Sequence, residues 1–299
     1  MKKLIALMAV ALSCFGANAQ TTIQIVWPFS VSSSDAQMVH AIVDSANRQQ
    51  NKYKFVFYSK QGAGGTIAAS YVLENPDTVL FGSSSFYVRP NLYKESHDPE
   101  RFSNVASVCY GKPLVVLSRK YANIKELSGK TFSVGMNNGS ITQLVSRTLK
   151  ANTDATVIEV PYKGTPETTM DMLGGHLDAG IDHAGASLFA KLPTNVKVYA
   201  LGITGTVSYP NLPTFKSQGL KGFDNLTNNY NLFVSSSTST ARKQELNQIF
   251  NQALDSEALR ESCESDFAKI SKSTLEQADR AHQQSIAHWR KVTQGMPKE

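Results

Sequence analysis

Hydroxyl-rich and glycine-rich loops are the features of this sequence that could bind a ligand. Ser30, Ser32, Ser33 and Ser34 follow one β-rich run and precede a helical one. The positive end of the helix dipole, together with hydroxyls and free N–H groups, favours an anion at such a place. An ordinary N-cap is the alternative, but capping requires only one of these side chains.

Two further loops of the first half share this chemistry. Gly62-Ala63-Gly64-Gly65-Thr66 follows the second β-rich run, and three serines at 83–85 follow the third. Glycine permits positive φ, so that successive N–H groups can surround a carboxylate or phosphate. Ile67 stands where the dinucleotide fingerprint needs its third glycine, and no glycine-rich loop leads into Gly-Lys-Ser/Thr. The sequence therefore has no nucleotide-binding signature.

The second half repeats the pattern after three more β-rich runs. The loops are Asn137-Asn138-Gly139-Ser140, Pro161-Tyr162-Lys163-Gly164-Thr165 and Asp182-His183. Open α/β sheets bind ligands beyond the carboxyl ends of their strands. The recurrence after three strands in each half is a stronger indication of a binding cleft than any one loop.

Catalytic and metal-binding patterns are weak. The sequence has no G-x-S-x-G, H-E-x-x-H or C-x-x-C motif. A metal site built from His176, Asp178, Asp182 and His183 would need a convergence that a turn followed by a strand seldom gives. Lys163 could form a Schiff base, but a solvated lysine in a glycine turn is the simpler interpretation.

The elements that would position these loops alternate between strand and helix. Two successive series of this kind predict two α/β lobes, each with a parallel or mixed sheet flanked by helices. We expect lobe 1 to comprise residues 20–119 and 231–299 and lobe 2 to comprise residues 120–230. The predicted strands are 22–27, 55–58, 78–82, 105–109, 114–118, 131–135, 156–160, 179–182, 196–201 and 231–234. The predicted helices are 35–47, 66–73, 141–151, 165–173, 184–192, 241–254 and 275–292.

The first 19 residues have the pattern of a cleaved secretory signal. Lys2 and Lys3 precede an apolar run at 4–12, and Ala17-Asn18-Ala19 provides a cleavage site. The run is shorter than the roughly 20 residues of a permanent span; an uncleaved anchor is the alternative. We therefore expect export, to a bacterial periplasm, with Gln20 as the first mature residue.

Composition and charge restrict the classes of partner that we expect for this protein. The 299 residues are 41% hydrophobic and 18% charged, as in a globular protein. The formal charge of +6 becomes +4 once Lys2 and Lys3 are removed with the signal. The remaining basic residues are scattered without interleaved aromatics, so we expect no nucleic-acid partner. Cys109 and Cys263 remain after cleavage, and the sequence leaves open whether they form a disulfide or are two buried thiols.

Short segments in a fixed order resemble the extracytoplasmic solute receptors of the tripartite tricarboxylate transporter system, the Bug family. The resemblance covers essentially the whole mature chain. It rests on the motifs Pro28-Phe29 with the serine loop, GAGGTI at 62–67, Asn91-Leu92-Tyr93 before Asp98-Pro99 and Phe102, Asn138-Gly139-Ser140, VPYKG at 160–164, LGGHLD at 173–178, Pro213-Thr214, Gly219-Leu220, Gly222-Phe223, and Trp289 with Val292.

This resemblance implies a two-lobed Venus-flytrap fold, a type II-like periplasmic binding protein, with neither catalytic activity nor a cofactor. It implies a small carboxylate or aromatic acid as ligand, a separate inner-membrane permease as partner, and a monomer. The loops that match the family's ligand loops contribute the candidate binding residues: Phe29, Ser32, Ser33, Ser34, Gly64, Gly65, Thr66, Ser84, Ser85, Asn138, Gly139, Ser140, Tyr162, Lys163, Gly164 and Asp182.

The first loop departs from the family pattern. It carries Ser30-Val31-Ser32-Ser33-Ser34-Asp35 where Pro and Gly-Gly before Ser/Thr-Asp are usual, and it is one residue shorter. Serine restricts φ where glycine does not, so the backbone of this loop can differ from that of the family. The resemblance therefore predicts the fold of this chain better than it predicts the identity of the ligand. The function predicted is capture of an organic anion by lobe closure. An exported hydrolase or lyase using Ser140 or Lys163 is the alternative, and a ligand-independent interaction module is a third possibility.

Overall fold

The computed structural model describes residues 20–207, 209 and 211–299. The predicted signal segment lies outside the described residues. No helix in the described part of the chain combines the length and the apolar character that crossing a membrane requires.

Six strands form the first sheet, in the order β11-β4-β10-β3-β1-β2. β2, β1 and β3 run parallel, whereas β10 is antiparallel to both β3 and β4. Helices cover both faces of this sheet. Successive residues at the carboxyl end of β1 are therefore all buried, instead of alternating between buried and exposed positions. The strands are β1 (Thr21–Trp27), β2 (Tyr53–Ser59), β3 (Thr78–Gly82), β4 (Phe102–Lys112), β10 (Asn228–Ser235) and β11 (Lys269–Ile270).

The helices of this lobe are α1 (Ser34–Gln49), α2 (Thr66–Glu74), α3 (Ser85–Leu92), α7 (Thr240–Ala253), α8 (Glu257–Ser265) and α9 (Leu275–Val292). In α1, Met38, Val39, Ile42, Val43 and Ala46 form one buried stripe at helical spacing. α9 has the bounds that the sequence predicts and begins with a capping box.

The second sheet has five strands in the order β7-β6-β8-β5-β9. Its strands are β5 (Leu114–Ser118), β6 (Thr131–Asn137), β7 (Thr156–Tyr162), β8 (Ala179–His183) and β9 (Tyr199–Ile203), and its helices are α4 (Ile141–Asn152), α5 (Thr165–Gly174) and α6 (Ala186–Phe189). Both sheets are mixed, so the predicted fold class, two α/β lobes, is confirmed.

The boundary between the lobes differs from the predicted one. Residues 114–118 were expected in lobe 1, but β5 pairs with β8 and β9 in the second sheet. The chain therefore passes between the lobes at Pro113, directly after β4, and returns before β10. An apolar run shows that a strand exists but not which sheet it joins, because pairing is decided by residues far away in sequence.

The apolar core is continuous between the two lobes. One apolar cluster includes Val26 and Phe86 of the first lobe together with Val116 and Phe132 of the second. Cys109 on β4 and Cys263 on α8 are both buried and both free thiols.

Candidate functional site

Four helices begin at the junction of the lobes, and their first residues line one cavity. The helices are α1 and α3 from lobe 1 and α4 and α5 from lobe 2, with N-caps Ser33, Ser84, Ser140 and Gly164. Ser33, Ser85, Ser140 and Gly164 line this cavity, which we call the helix-end cavity; its volume is about 40 Å³. Each helix directs the positive end of its dipole toward this cavity, and a negative charge is stabilised at such an end.

The serine loop of lobe 1 is held by its own hydrogen bonds. The backbone oxygen of Ser30 accepts from Ser33 Oγ at 2.8 Å and from Trp27 Nε1 at 3.0 Å. Ser33 Oγ also accepts from Ala36 N at 3.3 Å, which caps α1. No residue of 30–35 has a positive φ. Serine therefore replaces glycine in this loop without backbone strain.

The opposite wall of the cavity is the start of α4. Ser140 Oγ donates to Asn137 O at 2.8 Å and accepts from Thr142 N at 3.1 Å, so it caps its helix. Ser85 Oγ of lobe 1 accepts from Ile141 N of lobe 2 at 3.2 Å. Among the residues that the structure describes, neither hydroxyl has a hydrogen bond to a histidine or carboxylate side chain that could act as a base. Both Ser85 and Ser140 line the helix-end cavity.

A buried ion cluster lies under one side of the cavity. Lys112 is completely buried; its Nζ lies 2.8 Å from Asp35 Oδ1 and 2.7 Å from Asp266 Oδ2. His183 Nδ1 of lobe 2 lies 3.5 Å from Asp35 Oδ2, and Nδ2 of Asn228 lies 2.8 Å from its other ring nitrogen. Asp35, His183 and Asn228 line the cavity.

Electrostatics within this cluster keep Asp35 and Lys112 ionised. Burial alone would raise the pKa of Asp35, but His183 and Lys112 hold that pKa below its ordinary value. Burial alone would lower the pKa of Lys112, but the carboxylates of Asp35 and Asp266 raise it. A cation between two carboxylates is thus fixed where the chain crosses to lobe 2.

The glycine loop borders a second, wider cavity. Ala63, Gly64 and Gly65 have φ values of 45°, 55° and 96°, the left-handed region that glycine favours. This turn leads directly into α2. Gly64, Arg89 and Lys163 are among the residues that line a cavity of about 520 Å³, which we call the Arg89 cavity. Phe29 and Asn137 line both cavities.

The predicted binding residues divide into two groups in the structure. Those that line a cavity are Phe29, Ser33, Gly64, Ser85, Asn138, Ser140, Tyr162, Lys163 and Gly164. Those that line neither are Ser32, Ser34, Gly65, Thr66, Ser84, Gly139 and Asp182.

The hydroxyls and carboxylate outside the cavities have partners within the protein. Thr66 Oγ1 accepts from Arg89 Nε at 3.0 Å. Asp182 Oδ2 accepts from Thr169 Oγ1 at 2.9 Å. Ser84 Oγ donates to Thr227 O and accepts from Asn229 N. Both residues lie in the segment that returns from lobe 2 to lobe 1.

Sequence reasoning missed several residues of the site. Asp35 directly follows the serine loop, and Arg89 and Lys112 stand alone in the sequence without a motif that points to a binding site. His183 belongs to the predicted loop Asp182-His183 and to a weak metal pattern; Asp178 of that pattern bonds to Lys120 and Ser133 instead. Within the described ranges, no group of three or more His, Cys, Asp and Glu residues could hold a metal ion.

Structural comparison shows the same fold in known binding proteins. The periplasmic binding protein BugD is 20% identical with a TM-score of 0.79, over 93% of this chain and 99% of that one. Rpa4515 of R. palustris, solved with adipate, is 22% identical with a TM-score of 0.80, over 94% and 99%. MatC of Rhodopseudomonas palustris, solved with bound malate, is 22% identical with a TM-score of 0.77, over 92% and 99%.

Two relatives found by sequence match a smaller share of this chain than these structures do. A UPF0065 protein in the tcbD-tcbE intergenic region of Pseudomonas sp. (strain P51) is 26% identical over 217 residues, 66% of this chain and 63% of that protein. A UPF0065 protein in the ttuE-ttuC' intergenic region of Agrobacterium vitis is 26% identical over 64% of this chain and 60% of that protein. The chain thus spans less than two thirds of the length of these two relatives.

A family model matches most of the chain. The model of the tripartite tricarboxylate transporter family receptor matches residues 42–296. That range takes in both sheets except β1, and the fold of the matched region is that of the binding proteins above. The chain therefore belongs to the tripartite tricarboxylate transporter family of receptors.

Proposed function

We propose that this protein is a periplasmic solute receptor that closes its two lobes on a small organic acid and delivers it to an inner-membrane permease. The observation that carries the proposal is the convergence of four helix N-termini on the helix-end cavity. Each terminus favours a negative charge by about 0.3–1 kcal/mol, and by more where water is excluded. Four of them, from both lobes, make a carboxylate the best-matched ligand group.

Contacts across the cleft support a closing mechanism. Ser187 Oγ of lobe 2 donates to Asp266 Oδ1 at 2.7 Å, and Tyr93 OH of lobe 1 donates to Gln143 Oε1 at 3.2 Å. Ser30 Oγ lies 3.4 Å from Glu167 Oε1. A ligand held between the lobes would add contacts to this arrangement only when the lobes are closed. Binding therefore favours closure.

Membership in the receptor family and the acids bound by Rpa4515 and MatC support the same ligand class. The proposed receptor acts as a monomer and catalyses no reaction. Ser140 Oγ is committed to the start of its own helix, and Lys163 is exposed. Within the described residues Ser140 Oγ has no hydrogen bond to a histidine or carboxylate side chain, and the exposed Lys163 lacks the dry surroundings that would activate it as a nucleophile.

Calorimetric titration with malate, adipate, benzoate and inorganic phosphate tests the proposal. At least one carboxylate should bind and should raise the melting temperature in proportion to its concentration. Ser85→Ala should weaken that binding. Ser146→Ala is the matched control, because Ser146 is buried in α4 and its Oγ has no hydrogen-bond partner in the described residues. The absence of binding by every carboxylate would refute the proposed ligand class.

Localisation has a separate test. Osmotic shock of cells that express the full chain should release a protein whose N-terminus is Gln20. Retention of the intact chain in the cytoplasm would refute the periplasmic assignment. Co-purification with a membrane protein only when the bound acid is present would support delivery to a permease, whereas ligand-independent co-purification would favour an interaction module.

A further inference from the structure

The 293–299 segment follows α9 of lobe 1 and reaches the surface of lobe 2. Its backbone pairs with lobe 1 just after α3, where Lys94 N donates to Glu299 O at 2.7 Å and Glu299 N donates to Leu92 O at 2.8 Å. Met296 packs against the apolar cluster that both lobes share. The segment is therefore fixed in place by backbone hydrogen bonds as well as by burial.

Arg147 of lobe 2 binds this segment at two points. Arg147 lies on α4, and its Nη1 donates to Pro297 O at 3.2 Å. Its Nη2 forms a salt bridge with the carboxylate of Glu299. The side chain of Arg147 is 13% exposed and that of Glu299 is 52% exposed. Among the salt bridges of Lys and Arg within the described ranges, this one alone joins the two lobes.

Neighbouring side chains join the lobes at the same place. Tyr93 OH of lobe 1 donates to Gln143 Oε1 of lobe 2 at 3.2 Å, and Gly139 N donates to the same oxygen at 2.7 Å. The guanidinium of Arg89 lies 4.3 Å from the ring centre of Tyr93. A Cβ on Gly139 would lie 2.4 Å from Arg89 Nη1. The far end of α3 is thus packed closely against the first turns of α4.

These contacts lie away from the place where the chain crosses between the lobes. Ser84, at the start of α3, bonds to the segment that returns to lobe 1. α3 is eight residues long, so its far end lies about 12 Å further along, at 1.5 Å per residue. When two lobes rotate about their crossings, displacement grows with distance from the axis. Opening therefore separates Arg147 from Glu299 more than it disturbs the contacts of Ser84.

We propose that the 293–299 segment is a latch, which binds Arg147 and so stabilises the closed arrangement of the lobes before any ligand is present. This inference rests on the proposed function and concerns how closure of that site is controlled. A ligand that binds the closed arrangement has an apparent affinity that falls with the fraction of closed protein. The latch raises that fraction, and salt weakens the latch because Glu299 is half exposed.

Distances between spin labels on the two lobes test the latch without any ligand. Ile67→Cys in lobe 1 and Met170→Cys in lobe 2 provide the labelling sites, because both side chains are exposed. Cys109 and Cys263 are buried, so the labels should attach only at the new cysteines. Pulsed electron spin resonance on this labelled protein should give one dominant short distance.

Substitutions on both sides of the latch should change that distance. Arg147→Met, which loses both contacts, should add a population at longer distance, and Glu299→Gln should do so to a smaller extent. With malate and adipate as probes, calorimetric titration should show that Arg147→Met weakens binding about twofold to fivefold. Arg290→Met is the matched control, because its salt bridge with Glu100 lies within lobe 1.

The outcomes separate the latch from the general function. An unchanged distance distribution in ligand-free Arg147→Met would overturn the latch. Fully additive effects of Arg147→Met and Glu299→Gln on the equilibrium between closed and open protein would also overturn it, because the two side chains would then act independently. Failure of every carboxylate to bind would refute the receptor proposal, whereas the distance measurement would still decide the latch by itself.

Discussion

Replacing Lys112 with methionine should destabilise the protein strongly, because two buried carboxylates would lose their cation. The side chains of Asp35 and Asp266 are 5% and 3% exposed, and each lies within 2.8 Å of Lys112 Nζ. Removal of one partner from a buried ion pair costs about 3–5 kcal/mol. For a chain of this size, that loss lowers the melting temperature by on the order of 10 °C.

The loss of stability caused by Lys112→Met should depend on pH in a defined direction. In the unmodified protein the pKa of Asp35 is lowered, so its contribution is lost only as the pH falls below the ordinary value of 3.8. The pKa of Lys112 is raised, so its contribution is lost only as the pH rises above the ordinary value of 10.5. The cluster therefore contributes a constant amount near neutrality.

In Lys112→Met this pH dependence changes. Two buried carboxylates without a cation favour protonation, so their pKa values rise above those of the unfolded chain. Stability is then retained at low pH and lost as the pH rises through these raised values. The variant should be closest to the unmodified protein at about pH 4.5 and furthest from it at about pH 7.5.

Urea denaturation at both pH values measures the effect. Lys272→Met is the control, because Lys272 and Asp255 form an exposed pair, and such pairs contribute little. The triple variant Lys112→Met/Asp35→Asn/Asp266→Asn should recover much of the lost stability, since the three charges of this cluster are all removed. A loss below about 1 kcal/mol at pH 7.5, or an equal loss at both pH values, would refute the reasoning from burial and charge.

Three further predictions concern the core. Gly135→Ala places a Cβ 2.3 Å from Thr168 Cγ2, so the free energy of unfolding should fall by about 1–3 kcal/mol; an unchanged urea midpoint would contradict this. Burial lowers the pKa of His97 to about 4. Because the unfolded chain takes up the proton first, stability should fall by about 3 kcal/mol between pH 6.5 and 4, and His97→Gln should remove that part of the slope. Cys109 and Cys263 are buried thiols, so a thiol reagent should label neither in the native mature protein and both in guanidinium; no labelling in guanidinium would reveal a disulfide.

Much of the secondary structure follows from local pattern. α9 and β5 have the predicted bounds, because periodic apolar residues and capping signals act over a few positions. α6 was expected over 184–192 but spans Ala186–Phe189. α3 and α8 were not predicted as helices. α3 contains Pro90 and begins in a serine turn, so its local pattern was that of a loop, and packing between the lobes overrode it.

The sequence by itself determined the two α/β lobes and the loops of serine and glycine that follow their strands, because strand ends, helix caps and glycine turns are encoded within a few residues. Only the tertiary structure decided that β5 joins the second sheet, that Arg89 meets Gly139, and that Lys112 lies between Asp35 and Asp266. These contacts join residues 50 or more positions apart in the chain. Their energies depend on burial and on charges brought together by folding, and neither quantity can be read from neighbouring residues.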